Sequence, residues 1–275
     1  MDATERLDII RLDASDVAGG LALSTEAHWN QTAADWRYFL SKGIVFGVRA
    51  PDCRLIATAA LLPYTAHEAW ISMVLVTACW RRRGLATRLL DSCLAEADRL
   101  GLTVWLDATP AGAAVYGRLG FTPTFQLRRL RLDAARAANS AAALPAGEFS
   151  AFITCDTDAI GFSRRDLLGE FANRPGSLLV SNGDALALVR DGRAARQIGP
   201  LSATDAASAL ALLADIAAHE TGPLLIDAVA EHAALLKGLV DAGWHIERPF
   251  QRMTFGPARA QAAELPFAVA GPEYG

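Results

Sequence analysis

Apolar residues recur along this chain with two spacings, one typical of strands and the other of helices. Residues 71–76 (ISMVLV) form a short apolar run rich in β-branched side chains, which predicts a buried strand. Apolar residues then recur at positions 86, 89, 90, 93, 94, 97 and 100, which predicts a helix over 84–100 with one apolar face. Gly101 follows as a C-terminal cap. An arginine-rich turn therefore joins a strand directly to a helix.

The same patterns divide the first half of the chain into alternating elements. They predict strands over 7–12, 43–48, 55–62, 69–76, 103–106 and 125–132, with helices over 16–25, 32–41 and 84–100 and a helix that opens at Pro110. The order is one strand, two helices, three strands, a helix, a strand, a helix and a strand.

A related order of elements recurs in the second half. The pattern predicts strands over 149–154, 177–181, 185–189, 194–198 and 223–227, helices over 163–173, 204–219 and 230–242, and further strand up to Phe255. The Ala-rich stretch 134–147 reads as a linker. We therefore predict domains over 1–133 and 148–257, followed by a tail, 258–275. The tail is apolar enough to dock in the acceptor cleft, with a disordered tail as the alternative.

Composition agrees with two domains and excludes several classes of function. The 275 residues are 52% hydrophobic, which is enough for two cores, and the net charge of −4 argues against general binding to nucleic acid or to a membrane surface. No apolar run has transmembrane length and the acidic start does not fit a signal peptide, so we expect a cytoplasmic protein. Four cysteines without a C-x-x-C pair and five histidines without ligand spacing predict no metal site.

The strand, turn and helix around Arg81 have the features of an anion site. The first turn of a helix presents unpaired N–H groups and the positive end of the dipole, and Arg81, Arg82 and Arg83 add charge beside it. A pyrophosphate would fit there, although neither G-x-G-x-x-G nor G-K-[ST] is present. An ordinary strand-turn-helix with solvated arginines remains the alternative.

Two motifs in the first half resemble the GNAT superfamily of acyl-CoA-dependent N-acyltransferases. Arg81-x-x-Gly84-x-Ala86 is similar to the family signature [QR]-x-x-G-x-[GA], which lies between a strand and a helix. Farther along, Tyr116, Gly120 and Phe121 match the closing part of the family's A-x-x-x-Y-x-x-x-G-F helix, and Ala113 lies one position nearer to the tyrosine than the pattern's alanine. The resemblance spans roughly residues 5–132 and implies the GNAT fold, with acetyl-CoA as co-substrate.

The resemblance also implies which residues hold the cofactor. The strand end would face the pantetheine through the backbone of Val74, Leu75 and Val76. The pyrophosphate would be held by the turn and the helix start, which comprise Arg81, Arg82, Arg83, Gly84, Leu85, Ala86 and Thr87. Thr109 stands seven residues before Tyr116, where many members have an asparagine that touches the cofactor.

Tyr116 is the predicted general acid, because a phenol with a pKa near ~10 can protonate a departing thiolate of pKa near ~8.5 without ionising at neutral pH. The base is less determined. Glu26 is the first candidate, while Glu68, His67 and water remain open.

One loop concentrates polar and aromatic side chains, namely Glu26, His28, Trp29, Asn30 and Gln31. It predicts a surface for the acceptor, with a capped helix-helix corner as the alternative.

The second half looks like a degenerate copy of the first. Its turn at 199–205 has no arginine and carries Asp205, and Leu239 stands where Tyr116 stands in the first half. The whole chain thus resembles tandem bacterial GNAT proteins whose C-terminal half is a degenerate acetyltransferase-like domain. We expect the α/β (α+β) class, with two GNAT-like domains in tandem, each a mixed, mostly antiparallel sheet flanked by helices, and one acyl-CoA per chain.

These observations together predict an N-acetyltransferase. Acetyl would pass from acetyl-CoA to a primary amine of a small molecule by direct attack, in a monomer or homodimer without metal, nucleic-acid or membrane partners. A non-catalytic acyl-CoA or metabolite sensor on the same fold is the alternative, and amine-dependent thiol release separates the two.

Overall fold

The computed structural model describes residues 7–135, 145–257 and 265–275. The chain divides into two compact units within one strand, between Val104 and Trp105. None of the helices in the described segments is long and apolar enough to cross a membrane.

The first unit is built on an antiparallel sheet in the order β1-β2-β3-β4. Its elements are β1 (Ile9–Arg11), α1 (Val17–Glu26), α2 (Ala33–Lys42), β2 (Ile44–Arg49), β3 (Leu55–Pro63), β4 (Glu68–Val76), α3 (Leu85–Leu100) and the start of β5 (Thr103–Ala108). The buried face of α3 includes Leu89, Leu90 and Cys93, at helical spacing. Burial raises the pKa of the Cys93 thiol to about 12, so this cysteine acts as a core residue.

The second unit contains a larger mixed sheet in the order β5-β11-β6-β10-β9-β8-β7. Its elements are α4 (Pro110–Arg118), β6 (Thr122–Ala135), α5 (Phe149–Ile160), α6 (Arg165–Ala172), β7 (Leu178–Asn182), β8 (Ala185–Arg190), β9 (Arg196–Ser202), α7 (Ala206–His219), β10 (Gly222–Val229), α8 (Ala233–Asp241) and β11 (His245–Phe255). β9 and β10 pair in parallel. The last strand, β11, lies beside β6, which comes from the first half of the sequence.

Two matching ion pairs fasten β6 and β11 to the strands beside them. Arg129 of β6 donates two hydrogen bonds to Asp227 of β10, at 2.9 and 2.8 Å, and Arg252 of β11 donates two to Asp107 of β5, at 2.9 and 2.7 Å. All four side chains are buried. The residue pattern is the same in both halves, because each aspartate comes near the end of the strand that follows the long helix.

The α/β class and the tandem arrangement of mixed, mostly antiparallel sheet with flanking helices are confirmed. The predicted domain boundary near residue 133 separates the two halves of the sequence that resemble each other. The compact units divide at a different point, because β5, α4 and β6 pack with strands from the C-terminal half.

Two predicted elements are wrong. Residues 149–154 lie in helix α5, not in a strand, because Glu148 caps the N–H groups of Ser150 and Ala151 and apolar residues recur at helical spacing. Most of the predicted turn 199–205 continues β9, since Leu201 pairs with Ala187 of β8.

The predicted linker and tail lie partly outside the described residues, which exclude 136–144 and 258–264. Ala134 and Ala135 extend β6, and Ala146 pairs with Val180 of β7. Residues 265–275 pack into the second unit, with Ala268, Ala270 and Tyr274 fully buried. Residues 265–275 are thus docked against β9 and β10. The predicted role of the tail in the acceptor cleft stays a prediction.

Candidate active site

A cleft opens in the first unit where β4 leads into α3. Its volume is about 480 Å³, and we call it the β4–α3 cleft. It is lined by residues 74–76, 80–82 and 84–87, together with Ala27 and Trp29. The structure therefore brings together nearly all the residues that the sequence assigns to the cofactor in this unit.

The N-terminus of α3 is open to a ligand at one end of this cleft. Gly84 has φ +76°, in the left-handed region that favours glycine, and no atom lies within 4 Å of where a Cβ would stand. No side chain caps the helix, and its first turn carries no acidic residue. The N–H groups and the dipole are thus available to an anion such as a pyrophosphate.

The three arginines of the turn differ in their positions. Arg81 and Arg82 line the cleft, and Arg81 donates from Nε to the carbonyl of Val76 at 3.0 Å. Arg83 does not line it. Its guanidinium lies 4.6 Å from the ring centroid of Trp80 and donates to the carbonyl of Cys79. Arg83 therefore braces the turn through Trp80, whereas its neighbours offer charge to the cleft.

A bulge in β4 lies just before the residues that line the cleft. Register with β3 shifts between the pairs Thr58–Leu75 and Ala60–Ser72, so an extra residue is accommodated near Met73. Met73 has φ +53°, which is rare for a side chain of this kind. The buried hydroxyl of Thr58 donates to its carbonyl at 2.8 Å. Strain of this kind is typical of strands that present backbone groups to a ligand.

Glu26, the predicted base, is bonded to the end of β4. Its carboxylate accepts hydrogen bonds from the Thr77 hydroxyl and the Ala78 N–H, both at 2.7 Å. The Thr77 bond and then the Ala78 bond lower the pKa of the carboxyl. A carboxylate that is already bonded and held ionised is a weak proton acceptor. The arrangement suits a group that positions the turn.

The other residues of the polar loop have diverse environments. Trp29 lines the cleft and His28 is exposed with φ +58°. Asn30 and Gln31 are buried, and neither lines the cleft. Thr32 and Asp35 form a capping box at the start of α2, as the capped-corner alternative predicts.

Tyr116 and Thr109 belong to the second unit. Tyr116 is half-buried on α4, with its ring centroid 5.6 Å from that of Phe121. Thr109 caps the same helix, since its hydroxyl accepts from the N–H of Gly112 at 3.3 Å. Their predicted roles toward the cofactor stay predictions.

Comparison with known proteins identifies the family. The model of the acetyltransferase (GNAT) family matches residues 17–121, and a second acetyltransferase (GNAT) domain model matches residues 152–268. The chain belongs to the GNAT superfamily. It carries two such domains in tandem, as the sequence predicts, and this places it among the N-acetyltransferases.

The matches to known proteins extend over nearly the full length of both chains. The uncharacterized N-acetyltransferase YitH of Bacillus subtilis (strain 168) is 23% identical over 261 residues, which are 89% of each chain. The fold is similar to that of a candidate acetyltransferase from Pyrococcus horikoshii, with a TM-score of 0.81 at 17% identity over 100% and 98% of the two chains. It also resembles a tandem GNAT protein from the clavulanic acid biosynthesis pathway, with a TM-score of 0.64 at 16% identity over 92% and 100%.

GNAT enzymes use an acyl-CoA, and the β4–α3 cleft fits such a group. A pyrophosphate requires N–H donors and positive charge, which the uncapped, acid-free start of α3 and two arginines offer. An arm that carries amide groups requires backbone partners, which the bulged end of β4 offers. Among the described residues no group of histidine, cysteine and carboxylate side chains could hold a metal ion.

The structure adds residues that the sequence reasoning missed. Trp80 and Ala27 line the cleft, and Thr77 links Glu26 to the end of β4. Trp80 directly precedes the three arginines, and an aromatic residue beside a cationic turn is the signal that could have identified it.

Proposed function

We propose that this GNAT protein transfers an acyl group, most simply acetyl, from acyl-CoA to the primary amine of a small molecule. The observation that carries the proposal is the β4–α3 cleft, where a strained strand end and an uncapped helix start face one space of about 480 Å³. Family membership supports an acyl-CoA as the donor.

Different residues of the cleft would bind different parts of the acyl-CoA. Backbone groups of residues 74–76 would run alongside the pantetheine arm as a neighbouring strand does. The N–H groups of residues 84–87, with the charges of Arg81 and Arg82, would hold the pyrophosphate. An acyl-CoA bound there supplies an activated thioester carbonyl to the acceptor amine.

Proton transfers complete the proposed reaction. The acceptor amine attacks in its neutral form and loses a proton, and the departing thiolate gains one. Tyr116 remains the proposed donor of that proton from its phenolic oxygen, on the strength of the family motif. Water is the proposed acceptor of the amine proton, because the hydrogen bonds of Glu26 weaken it as a base.

The acceptor would approach on the side formed by Ala27 and Trp29, the residues of the polar loop that line the cleft. An indole face gives apolar contact to a small molecule and attracts a cationic group. Both properties of the indole suit a small amine as the acceptor.

Amine-dependent thiol release tests the proposal. The full chain is incubated with radiolabelled acetyl-CoA and a panel of primary amines, and free thiol and labelled amide are both measured. We expect equal amounts of thiol and amide with at least one amine. A folded protein that binds acetyl-CoA and yields no amide with any amine in the panel would favour the sensor alternative.

A further inference from the structure

The C-terminal segment, residues 265–275, lies between two parallel strands of the second unit. β9 and β10 pair over only three positions, where residues 196–198 of β9 face residues 224–226 of β10. Beyond that point Ala268 bridges both strands, opposite Leu201 of β9 and Ala228 of β10. One residue of the segment thus stands where the strands no longer pair with each other.

Backbone hydrogen bonds fix the segment to both walls of this gap. Four of them measure 3.0 Å, and they run from Leu201 N to Ala268 O, from Phe267 N to Leu201 O, from Val229 N to Phe267 O and from Val269 N to Asp227 O. Each strand is therefore bonded to the segment as it would be to a neighbouring strand. A bound ligand with amide groups would need the same backbone N–H and C=O groups as hydrogen-bond partners.

Close packing leaves no room for another ligand in the gap. Val269 is 1% exposed, and Ala268 and Ala270 are fully buried. A Cβ placed on Gly199 would stand 2.0 Å from the carbonyl oxygen of Val269, so the segment lies directly on the backbone of β9. Arg190 and Arg164 hold the end of the segment by donating to the carbonyls of Ala270 and Tyr274.

The gap corresponds to the cofactor cleft of the first unit. β9, α7 and β10 repeat the order β4, α3 and β5, and in each unit the register shifts in the strand that precedes the helix. In the first unit that strand borders an open cleft. In the second unit it borders the buried C-terminal segment.

The helix start that would receive a pyrophosphate is also closed in the second unit. The side chain of Asp205 caps α7 by accepting from the N–H of Ser208 at 2.8 Å, and hydrogen bonds to that N–H and hydroxyl lower the pKa of the carboxyl. A carboxylate thus occupies the position that the uncapped Gly84 leaves free in the first unit.

From this placement we infer that residues 267–270 take, in the second unit, the place that the pantetheine arm takes beside β4 in the first. The segment is a built-in occupant that closes the second unit to acyl-CoA. The correspondence rests on the proposed function of the β4–α3 cleft. One acyl-CoA per chain follows.

Hydrogen exchange combined with titration calorimetry tests the inference on the full chain. We expect the amides of Val269 and Leu201 to be protected as well as those of central strands, and to keep that protection at saturating acetyl-CoA, with one acetyl-CoA bound per chain. Unprotected amides in 267–269, faster exchange there on adding acetyl-CoA, or two bound acetyl-CoA per chain would overturn it.

Alanine variants at two glycines with positive φ, Gly199 (φ +144°) and Gly183, give the test and its control. Gly199→Ala places its Cβ against Val269, whereas Gly183→Ala, at φ +57° in the β7–β8 hairpin, meets no atom within 4 Å. We expect faster exchange at 267–269 in the first variant only, and equal exchange in both would contradict the contact. A wild-type chain that binds no acetyl-CoA would refute the proposed function, whereas protected amides in 267–269 would still support the closed gap.

Discussion

Tyr116 is the residue on which the proposed chemistry depends most. Tyr116→Phe removes the phenolic proton and keeps a ring of the same shape beside Phe121. We expect kcat to fall by about a hundredfold or more, with the Kd for acetyl-CoA nearly unchanged. Steady-state kinetics and calorimetry measure the two quantities. An unchanged kcat would show that another group protonates the thiolate.

Glu26 presents the opposite case, since its contacts indicate a positioning role. Glu26→Gln weakens the hold on Thr77 and Ala78, so we expect a several-fold rise in the Kd for acetyl-CoA and a kcat within about twofold of wild type. A drop in kcat of roughly 10² or more would restore Glu26 as the base.

The pH dependence of binding gives an independent measure of the same role. Hydrogen bonds lower the pKa of the Glu26 carboxyl. The contribution of the ionised carboxylate to acetyl-CoA affinity is therefore present above the ordinary pKa of 4.5 and is lost as pH falls through the lowered pKa. Acetyl-CoA affinity in the wild type should therefore have no step from Glu26 at neutral pH.

At the scale of elements, the arginines of the β4–α3 turn differ, since two line the cleft and one braces the turn. Arg82 lines the cleft, whereas Arg83 stacks on Trp80 and points its guanidinium at Cys79. We expect Arg82→Ala to raise the Kd for acetyl-CoA by about tenfold, equivalent to about 1.4 kcal/mol, because the positive charge that faces the phosphates is lost.

Arg83→Ala is the matched control, with the same loss of formal charge one residue away. Its Kd should stay closer to the wild-type value when both are measured at one salt concentration. Equal losses in the two variants would mean that the turn acts only through its total charge.

Local patterns made most elements predictable. The run at 71–76, the arginine turn and the apolar face of α3 together located the cleft, because all three signals lie within about thirty consecutive residues. Helix α5 was mistaken for a strand, since the apolar run from Ala151 to Ile153 is too short to separate a buried strand from a helix until the Glu148 cap is considered. The bulge at Met73 could not be predicted from the sequence, because methionine is not a residue type that indicates a positive φ.

At the scale of the whole molecule, non-local pairing was beyond the reach of the sequence. β11 pairs with β6 through partners such as Phe250 and Leu127, more than a hundred residues apart. The Arg129–Asp227 and Arg252–Asp107 pairs hold that arrangement in the core. Breaking one side of a buried pair of this kind typically costs about 3–5 kcal/mol.

Strand sharing predicts that the first sequence domain does not fold alone. A fragment of residues 1–133 leaves β6 without β10 and β11, which exposes both of its edges. We expect the fragment to aggregate, or to unfold without a cooperative transition by circular dichroism.

A nicked full-length chain is the control for that fragment. A protease site placed within 136–144 cuts the backbone and leaves all the strands named above in place, so the two pieces should co-elute and keep the melting temperature close to that of the uncut chain. A 1–133 fragment that melts cooperatively and binds acetyl-CoA normally would contradict the role of the shared strands.

Equilibrium dialysis of radiolabelled acetyl-CoA tests most directly whether the β4–α3 cleft holds the cofactor. Gly84 and Gly101 stand at opposite ends of α3, both with positive φ and both with open space at the Cβ position. A glutamate at either site carries similar backbone strain, but only Gly84→Glu puts a carboxylate at the positive end of the helix. We predict one acetyl-CoA per chain for wild type and Gly101→Glu, and none for Gly84→Glu. Equal binding by the two variants, or no binding by the folded wild type, would contradict the assignment.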